Sequence, residues 1–304
     1  MSIRPFNLFD LPSLNHYRSD LLALNCSRAL TRGNLLGATT LLSFFNPGQH
    51  ICTAIQEDDL TSVMGQVLQS NSDTFARISF LAPGAALGEE VPLLDHLVLQ
   101  AGNWGALYVV AEVDEGHIAF KSLRKAGFST YAWQKAWQLS DSAESDQQAQ
   151  WKIPSAAEML AVQSLYSQIV PALVQPVDTL PRKPGGLICR LDGNIQMYAG
   201  ITSGPAGIWI QPLVHPDATC AAVCLQALLR VLPNQAGRPV YLCMRSYQAW
   251  LESALEDLGA EAGPRQAVMV KNLTAMIRED VKVKVPEKAF VKPAASINRT
   301  STDK

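Results

Sequence analysis

A polar stretch, Ser140 to Gln150 (SDSAESDQQAQ), interrupts the chain near its middle and carries no apolar periodicity, which marks it as a linker. It leaves two blocks of similar size, residues 1–139 and 151–280, followed by a basic tail over 281–304 with five lysines and two prolines. Two equal blocks suggest a tandem duplication, and a duplication predicts that the order of elements repeats.

The first block opens with a short strand at Ser2 to Phe6 and then a helix that begins at Asp10, a plausible N-cap, and runs through Leu14, Tyr17, Leu21 and Leu24. Alternation predicts strands at Ile51 to Gln56, Thr61 to Gln69 and Phe75 to Leu81, the first two forming a hairpin. A helix over Glu89 to Gln100 is expected to end at Gly102, before a dense apolar strand at Ala106 to Val113. A second helix, Gly116 to Ala126, is capped by Gly127 and leads into an aromatic-rich strand, Phe128 to Leu139.

The second block repeats this order. It reads as a helix at Ala156 to Gln168 and strands at Gly186 to Leu191, Ile195 to Ile201 and Gly207 to Val214. A helix at Ala218 to Leu232, a strand at Pro239 to Met244, a helix at Tyr247 to Leu258, Gly259 and a strand at Gln266 to Val270 complete it. Asp192-Gly193-Asn194 is a hairpin signal, and Gly259 repeats the role of Gly127. Each block is therefore expected to be an α+β layer on a mixed, mainly antiparallel sheet flanked by helices.

Composition narrows the function classes. With 48% hydrophobic and 17% charged residues the chain can bury a full core, and a formal net charge of −2 argues against a nucleic-acid partner. Six scattered cysteines form no CxxC pair and read as reduced, mostly buried thiols, with Cys220 and Cys224 on one core-facing helix side. Five histidines show no HxxxH or HExxH spacing, so no metal site is expected. The N-terminus does not read as a signal peptide, and the longest apolar runs fall short of the roughly 18 residues of a membrane span. A cytoplasmic protein with no membrane partner is expected.

Ala119-Phe120-Lys121-Ser122-Leu123-Arg124-Lys125-Ala126-Gly127-Phe128 lies in the frame Ala-x-x-Leu-Tyr-x-x-x-Gly-Phe, with Leu123 where the Tyr would stand, and Leu255 to Ala260 falls in the same frame with Leu255 at that position. Together with the order strand, helix, three strands, helix, strand, helix, strand, this segment resembles the GNAT superfamily of N-acetyltransferases. The resemblance implies two tandem GNAT-like domains and an acetyl-CoA-dependent transfer to a small-molecule or peptide amine. It also implies that the pantetheine arm pairs with main chain of the fourth strand, Ser79, Leu81 and Ala82 in the first block or Ile210 and Leu213 in the second. A pyrophosphate loop is expected at Gly88 or Ala218. The loop frames depart from the family: Ala85 to Glu90 sets Glu89 and Glu90 beside the phosphate position, where like charges repel, and His215 to Cys220 has no glycine.

Amine acetylation needs a base for the ammonium and an acid for the leaving thiolate. Glu112, near the end of an apolar strand, is the candidate base if buried, and a solvent-facing strand end otherwise. Tyr108 is a candidate acid or a packing residue, and His215, between the fourth strand and its following helix, a base, a phosphate contact or a plain loop residue. The alternative function is a catalytically degenerate GNAT-like binding module that has lost the pyrophosphate loop and the acid.

Overall fold

A computed structural model describes residues 2–7, 10, 18, 20–37, 47–57, 62–84, 88, 90–139, 150–180, 185–191, 193–218, 220–232 and 237–273. The sequence readings at Leu14, Tyr17, Ala85 to Leu87, Glu89, the 140–149 part of the linker, Asp192 and the 281–304 tail lie outside these residues.

The N-terminal half contains β1 (Ser2–Pro5), β2 (Leu22–Ala23), α1 (Cys26–Arg32), β3 (Gln49–Glu57), β4 (Ser62–Ser70), β5 (Phe75–Ala82), α2 (Val91–Asn103), β6 (Tyr108–Asp114), α3 (Ile118–Lys125) and β7 (Ser129–Leu139). The C-terminal half contains β8 (Trp151–Lys152), α4 (Ala156–Ile169), β9 (Gly186–Leu191), β10 (Asn194–Ser203), β11 (Ile208–Val214), α5 (Ala221–Val231), β12 (Val240–Arg245), α6 (Leu251–Asp257), β13 (Glu261–Ala262) and β14 (Gln266–Asn272). The class is α+β, two halves in tandem on a mixed, mainly antiparallel sheet.

Local signals explain most boundaries. Ser155 and Glu158 form a reciprocal capping box that starts α4. Gly127 and Gly259 carry φ of +84° and +67°, the left-handed region that ends α3 and α6. Gly102 does not end α2: the helix runs to Asn103, the Trp104 N–H still reaches the Gln100 carbonyl at 3.3 Å, and the left-handed residue is Gly105. An interior glycine costs a helix only about 1 kcal/mol, too little to stop it.

The expected first helix is corrected at its C-terminal end. Leu22 and Ala23 are strand, and α1 begins only after Asn25, whose side chain accepts the Arg28 N–H at 3.1 Å. The apolar spacing there is real, but pairing with β5 and the Asn25 cap outweigh it. The helix expected at Tyr247 to Leu258 divides into a 3-10 turn at Ser246–Gln248 and α6.

All long strands join one fourteen-stranded sheet in the order β1-β3-β4-β5-β6-β14-β7-β12-β11-β10-β9-β8, with β2 beside β5 and β13 beside β7. Among the described residues only β5 with β6 and β11 with β12 pair parallel. The order reads the same from both ends, β1 matching β8, β3 matching β9, and so inward to β7 and β14. The last long strand of each half is interleaved: β14 lies between β6 and β7, and β7 between β14 and β12. Ala267 to Val270 of β14 are at most 2% exposed, so the C-terminal strand is central to the sheet rather than an edge.

One core packs α2 and α3 on the N-terminal strands and a second packs α5 and α6 on the C-terminal ones. A third core sets α4, through Val162, Leu165, Tyr166 and Ile169, against Phe75, Val110, Ile188, Tyr198 and Val268, and so draws strands of both halves together.

Candidate functional site

In each half the two parallel strands are paired for three residues and then diverge. Phe75, Ala76 and Arg77 pair with Tyr108, Val109 and Val110, and Ile208, Trp209 and Ile210 pair with Val240, Tyr241 and Leu242. Beyond those pairs lie the fourth-strand segments that the family resemblance assigns to pantetheine.

The N-terminal gap is filled by main chain. Leu22 pairs with Leu81 and Ala23 with Phe80, the Leu24 N–H donates to the Ser79 carbonyl at 2.9 Å, and the Glu112 N–H donates to the Leu24 carbonyl at 2.8 Å. Leu24 thus bridges the diverging strands, 1% exposed within the N-terminal core. The C-terminal gap is closed by one side chain: Gln248 accepts the Val214 N–H through Oε1 at 3.0 Å and donates Nε2 to the Pro212 carbonyl at 2.9 Å.

The phosphate side is similarly engaged. Gly88 donates its N–H to Glu90 Oε2 at 2.5 Å, and Glu90, fully buried, stands at the N-cap of α2. A carboxyl group already occupies that helix end, where the positive partial charge would attract a phosphate. Ala218 donates its N–H to the His215 carbonyl at 3.0 Å. Ile210 ends the parallel pairing, Leu213 is core, and the Ser79 hydroxyl is buried with no hydrogen-bond partner among the described residues.

Glu112 is buried at 4% exposure rather than solvent-facing. Its Oε2 accepts the Cys26 N–H at 2.8 Å, at the start of α1, while Oε1 lies 3.5 Å from Arg77 Nη1 and 3.7 Å from Arg245 Nη2. Two guanidinium groups and the Cys26 N–H thus face this one carboxylate. Arg245 also lies 3.5 Å from Asp178, which accepts the Tyr247 hydroxyl at 2.9 Å and the Gln211 amide. Burial and the Asp178 carboxylate push the Tyr247 phenol well above its ordinary range. This network ties β5, β6 and β12 across the two halves.

Tyr108 packs against the third core, and His215 sits in the loop after β11 with Nδ1 accepting the Asp217 N–H at 3.2 Å. No hydrogen bond or ion pair joins Glu112, Tyr108 and His215 to one another among the described residues. Leu123 and Leu255, at the family's Tyr positions, are fully buried core residues. Cys224 is core as expected, whereas Cys220, at the N-cap of α5, is exposed. Sequence reading missed Arg77, Arg245, Asp178 and Gln248. The signal for the two arginines was a lone cation inside an apolar run, Phe75-Ala76-Arg77-Ile78 and Leu242-Cys243-Met244-Arg245, which burial must pair.

Comparison of the architecture with solved structures gives matches along most of the chain. The GCN5-related N-acetyltransferase of Sphaerobacter thermophilus superposes with a TM-score of 0.54 at 13% identity, covering 90% of this chain and 95% of that one. A candidate acetyltransferase of Pyrococcus horikoshii gives 0.52 at 11% identity, with 89% of each chain covered. The fold is that of the GNAT N-acetyltransferases. A tandem GNAT protein of the clavulanic acid biosynthesis pathway, solved without acetyl-CoA, gives 0.49 at 14% identity over 89% of this chain and 98% of that one. No protein-family model and no curated protein matches the sequence. Among the described residues of this GNAT fold, no helix is long and apolar enough to cross a membrane.

Proposed function

We propose that this chain is a GNAT-fold binding module that does not carry out acetyl transfer. The observation that carries the reading is the closure of both strand gaps by the chain itself, Leu22 to Leu24 in one half and Gln248 in the other. A pantetheine arm pairs with main-chain groups of the fourth strand, and a group already hydrogen-bonded inside the protein must first lose that partner. Three further features agree with it: Glu90 at the helix end that would face pyrophosphate, leucines at both acid positions, and a Glu112 paired with Arg77 and Arg245. The residues present therefore do not fit acetyl-CoA.

The competing reading, an acetyl-CoA-dependent N-acetyltransferase acting on a small-molecule or peptide amine, draws on the fold and on the C-terminal gap, where a single side chain forms the closure. Calorimetric titration of the full chain separates the two. Neither acetyl-CoA nor CoA is expected to give a binding heat at millimolar ligand. Micromolar binding with a stoichiometry near one would overturn the proposal and restore the transferase reading.

A further inference from the structure

Between the two halves lies a cavity of about 330 Å³ to which Leu22, Ala23 and Gln248 do not contribute. It adjoins the two strand gaps at Glu112 and Leu213 and lies at the small end of the range for ligand pockets. Four cations line it, Arg28 and Arg32 from α1, Arg77 from β5 and Arg245 from β12, against two carboxylates, Glu112 and Asp178. Both carboxylates are committed to Arg77 and Arg245 in the network described above. The excess positive charge therefore rests on α1.

Three polar side chains at this cavity have buried atoms that lack hydrogen-bond partners among the described residues. They are Nε and Nη2 of Arg28, Nη1 of Arg245 and the hydroxyl of Tyr198. Arg245 is 4% exposed and Tyr198 2% exposed. They come from α1, β12 and β10, so no single local distortion accounts for all three. Burial, with Arg32 nearby, pulls the Arg28 guanidinium down to about 10, a cost that a bound anion would offset. A buried donor without an acceptor is costly, and a guanidinium presents its N–H groups in a fork that matches a carboxylate or phosphate.

The backbone around Tyr198 is shaped to keep its ring in place. A Cβ on Gly186 would come within 2.7 Å of the Tyr198 hydroxyl oxygen and 2.3 Å of the Ala199 carbonyl, so only glycine fits there. Likewise a Cβ on Gly204 would meet the Thr31 carbonyl at 2.2 Å, and the Ala206 N–H donates to that same carbonyl at 2.9 Å. The turn between β10 and β11 thereby holds α1, and with it Arg28, against the C-terminal half.

We propose that this cavity binds a small oxyanion, a carboxylate or phosphate group on a compact molecule, through Arg28, Arg245 and Tyr198. The proposal does not depend on whether either strand gap admits a thioester cofactor. Its test is thermal unfolding of the full chain in sodium phosphate and in sodium succinate, each against sodium chloride of the same ionic strength and pH. At least one of the two anions is expected to raise Tm by about 3 °C or more at saturation. A response to phosphate alone assigns a phosphoryl group, and a response to succinate alone a carboxylate.

Arg28→Met is expected to abolish that rise while leaving the Tm of the ligand-free protein unchanged or higher, because it removes a half-buried cation whose Nε and Nη2 have no hydrogen-bond partner among the described residues. Tyr198→Phe, which removes one oxygen and keeps the ring, is expected to reduce the rise by at least half, and it carries the test should Arg28→Met fold poorly. The proposal is overturned if neither anion exceeds the chloride control. It is equally overturned if the rise persists at full size in Arg28→Met and Tyr198→Phe.

Discussion

Past Arg77 and Val110 the N-terminal half closes its strand gap with main chain, whereas past Ile210 and Leu242 the C-terminal half closes the equivalent gap with the side chain of Gln248. The first closure is part of the fold. Opening it would break the bonds to Ser79 and Glu112, strip Leu24 from its core and dislodge the start of α1. The second consists of two side-chain hydrogen bonds, each worth about 0.5–1.5 kcal/mol net, and opens by rotation about side-chain bonds. Two halves with one topology have thus diverged in how reversible their closure is, and only the C-terminal gap retains a simple route to a ligand.

The comparison presupposes halves that are alike but not independent, and the most severe test cuts them apart. Separating the chain within the linker leaves β6 and β7 without β14, and β12 without β7. Neither fragment is expected to show a cooperative thermal transition by circular dichroism, whereas mixing the two should restore one. A fragment that melts cooperatively alone would mean that the interleaving contributes little to folding, and that each half can be treated as a separate domain.

Point substitutions at the two closures should differ in the same sense with smaller effects. Leu24→Ala empties a core position and is expected to cost about 2–5 kcal/mol in urea unfolding. Gln248→Ala leaves the Val214 N–H and the Pro212 carbonyl without their partner and is expected to cost about 1–3 kcal/mol. If closure is what excludes the thioester cofactor, Gln248→Ala is the variant that begins to bind acetyl-CoA in calorimetry, and Leu24→Ala does not. Equal stability losses, or cofactor binding gained only by Leu24→Ala, would reverse the assignment of the rigid and the removable closure.

Strand positions were legible because alternation is a local property: the predicted strand at Phe75 to Leu81 and the observed β5 differ by one residue, and the predicted hairpin of β3 and β4 forms. Strand neighbours are a different matter. Nothing in Gln266 to Asn272 states that it will lie between β6 and β7, because any buried apolar strand presents the same backbone groups on both edges. The two-residue strands β2 and β8 are too short to carry a pattern. At the site, Glu112 stood out as a carboxylate on an apolar strand, yet its partners come from β5 and β12, 35 residues before it and 133 after it in sequence. Arg28 and Tyr198 carry no local sequence signal that sets them apart, because the cavity they line is formed only when the two halves meet. Charge pairing across a duplication is visible only once the sheet is assembled.

The outer edges of the sheet extend the comparison to its smallest effect. On the N-terminal edge one cation serves two carboxylates, Arg4 of β1 reaching Asp10 at 2.8 Å and Glu57 at 2.7 Å. On the C-terminal edge one carboxylate serves two cations, Glu158 lying 2.7 Å from Lys152 of β8 and 2.8 Å from Arg190 of β9. Arg4 holds the Asp10 carboxyl below its ordinary 3.8, and Lys152, the Ser155 N–H and Arg190 hold Glu158 well below its ordinary 4.5. In both cases the unfolded chain takes up a proton at the ordinary value while the folded chain does so only at lower pH, so the stabilisation is complete above the ordinary value and drains away as pH falls from there through the lower folded-state value. Glu158→Gln is therefore expected to flatten the decline of Tm with acid from about pH 4.5 downward, and Asp10→Asn to do so more weakly and from a lower pH. Both pairs lie at the surface, so high salt should narrow the difference from wild type. An acid limb for Glu158→Gln that runs parallel to wild type would mean that the doubly paired edge is no stronger than the singly paired one, and that the two halves differ at their gaps but not at their rims.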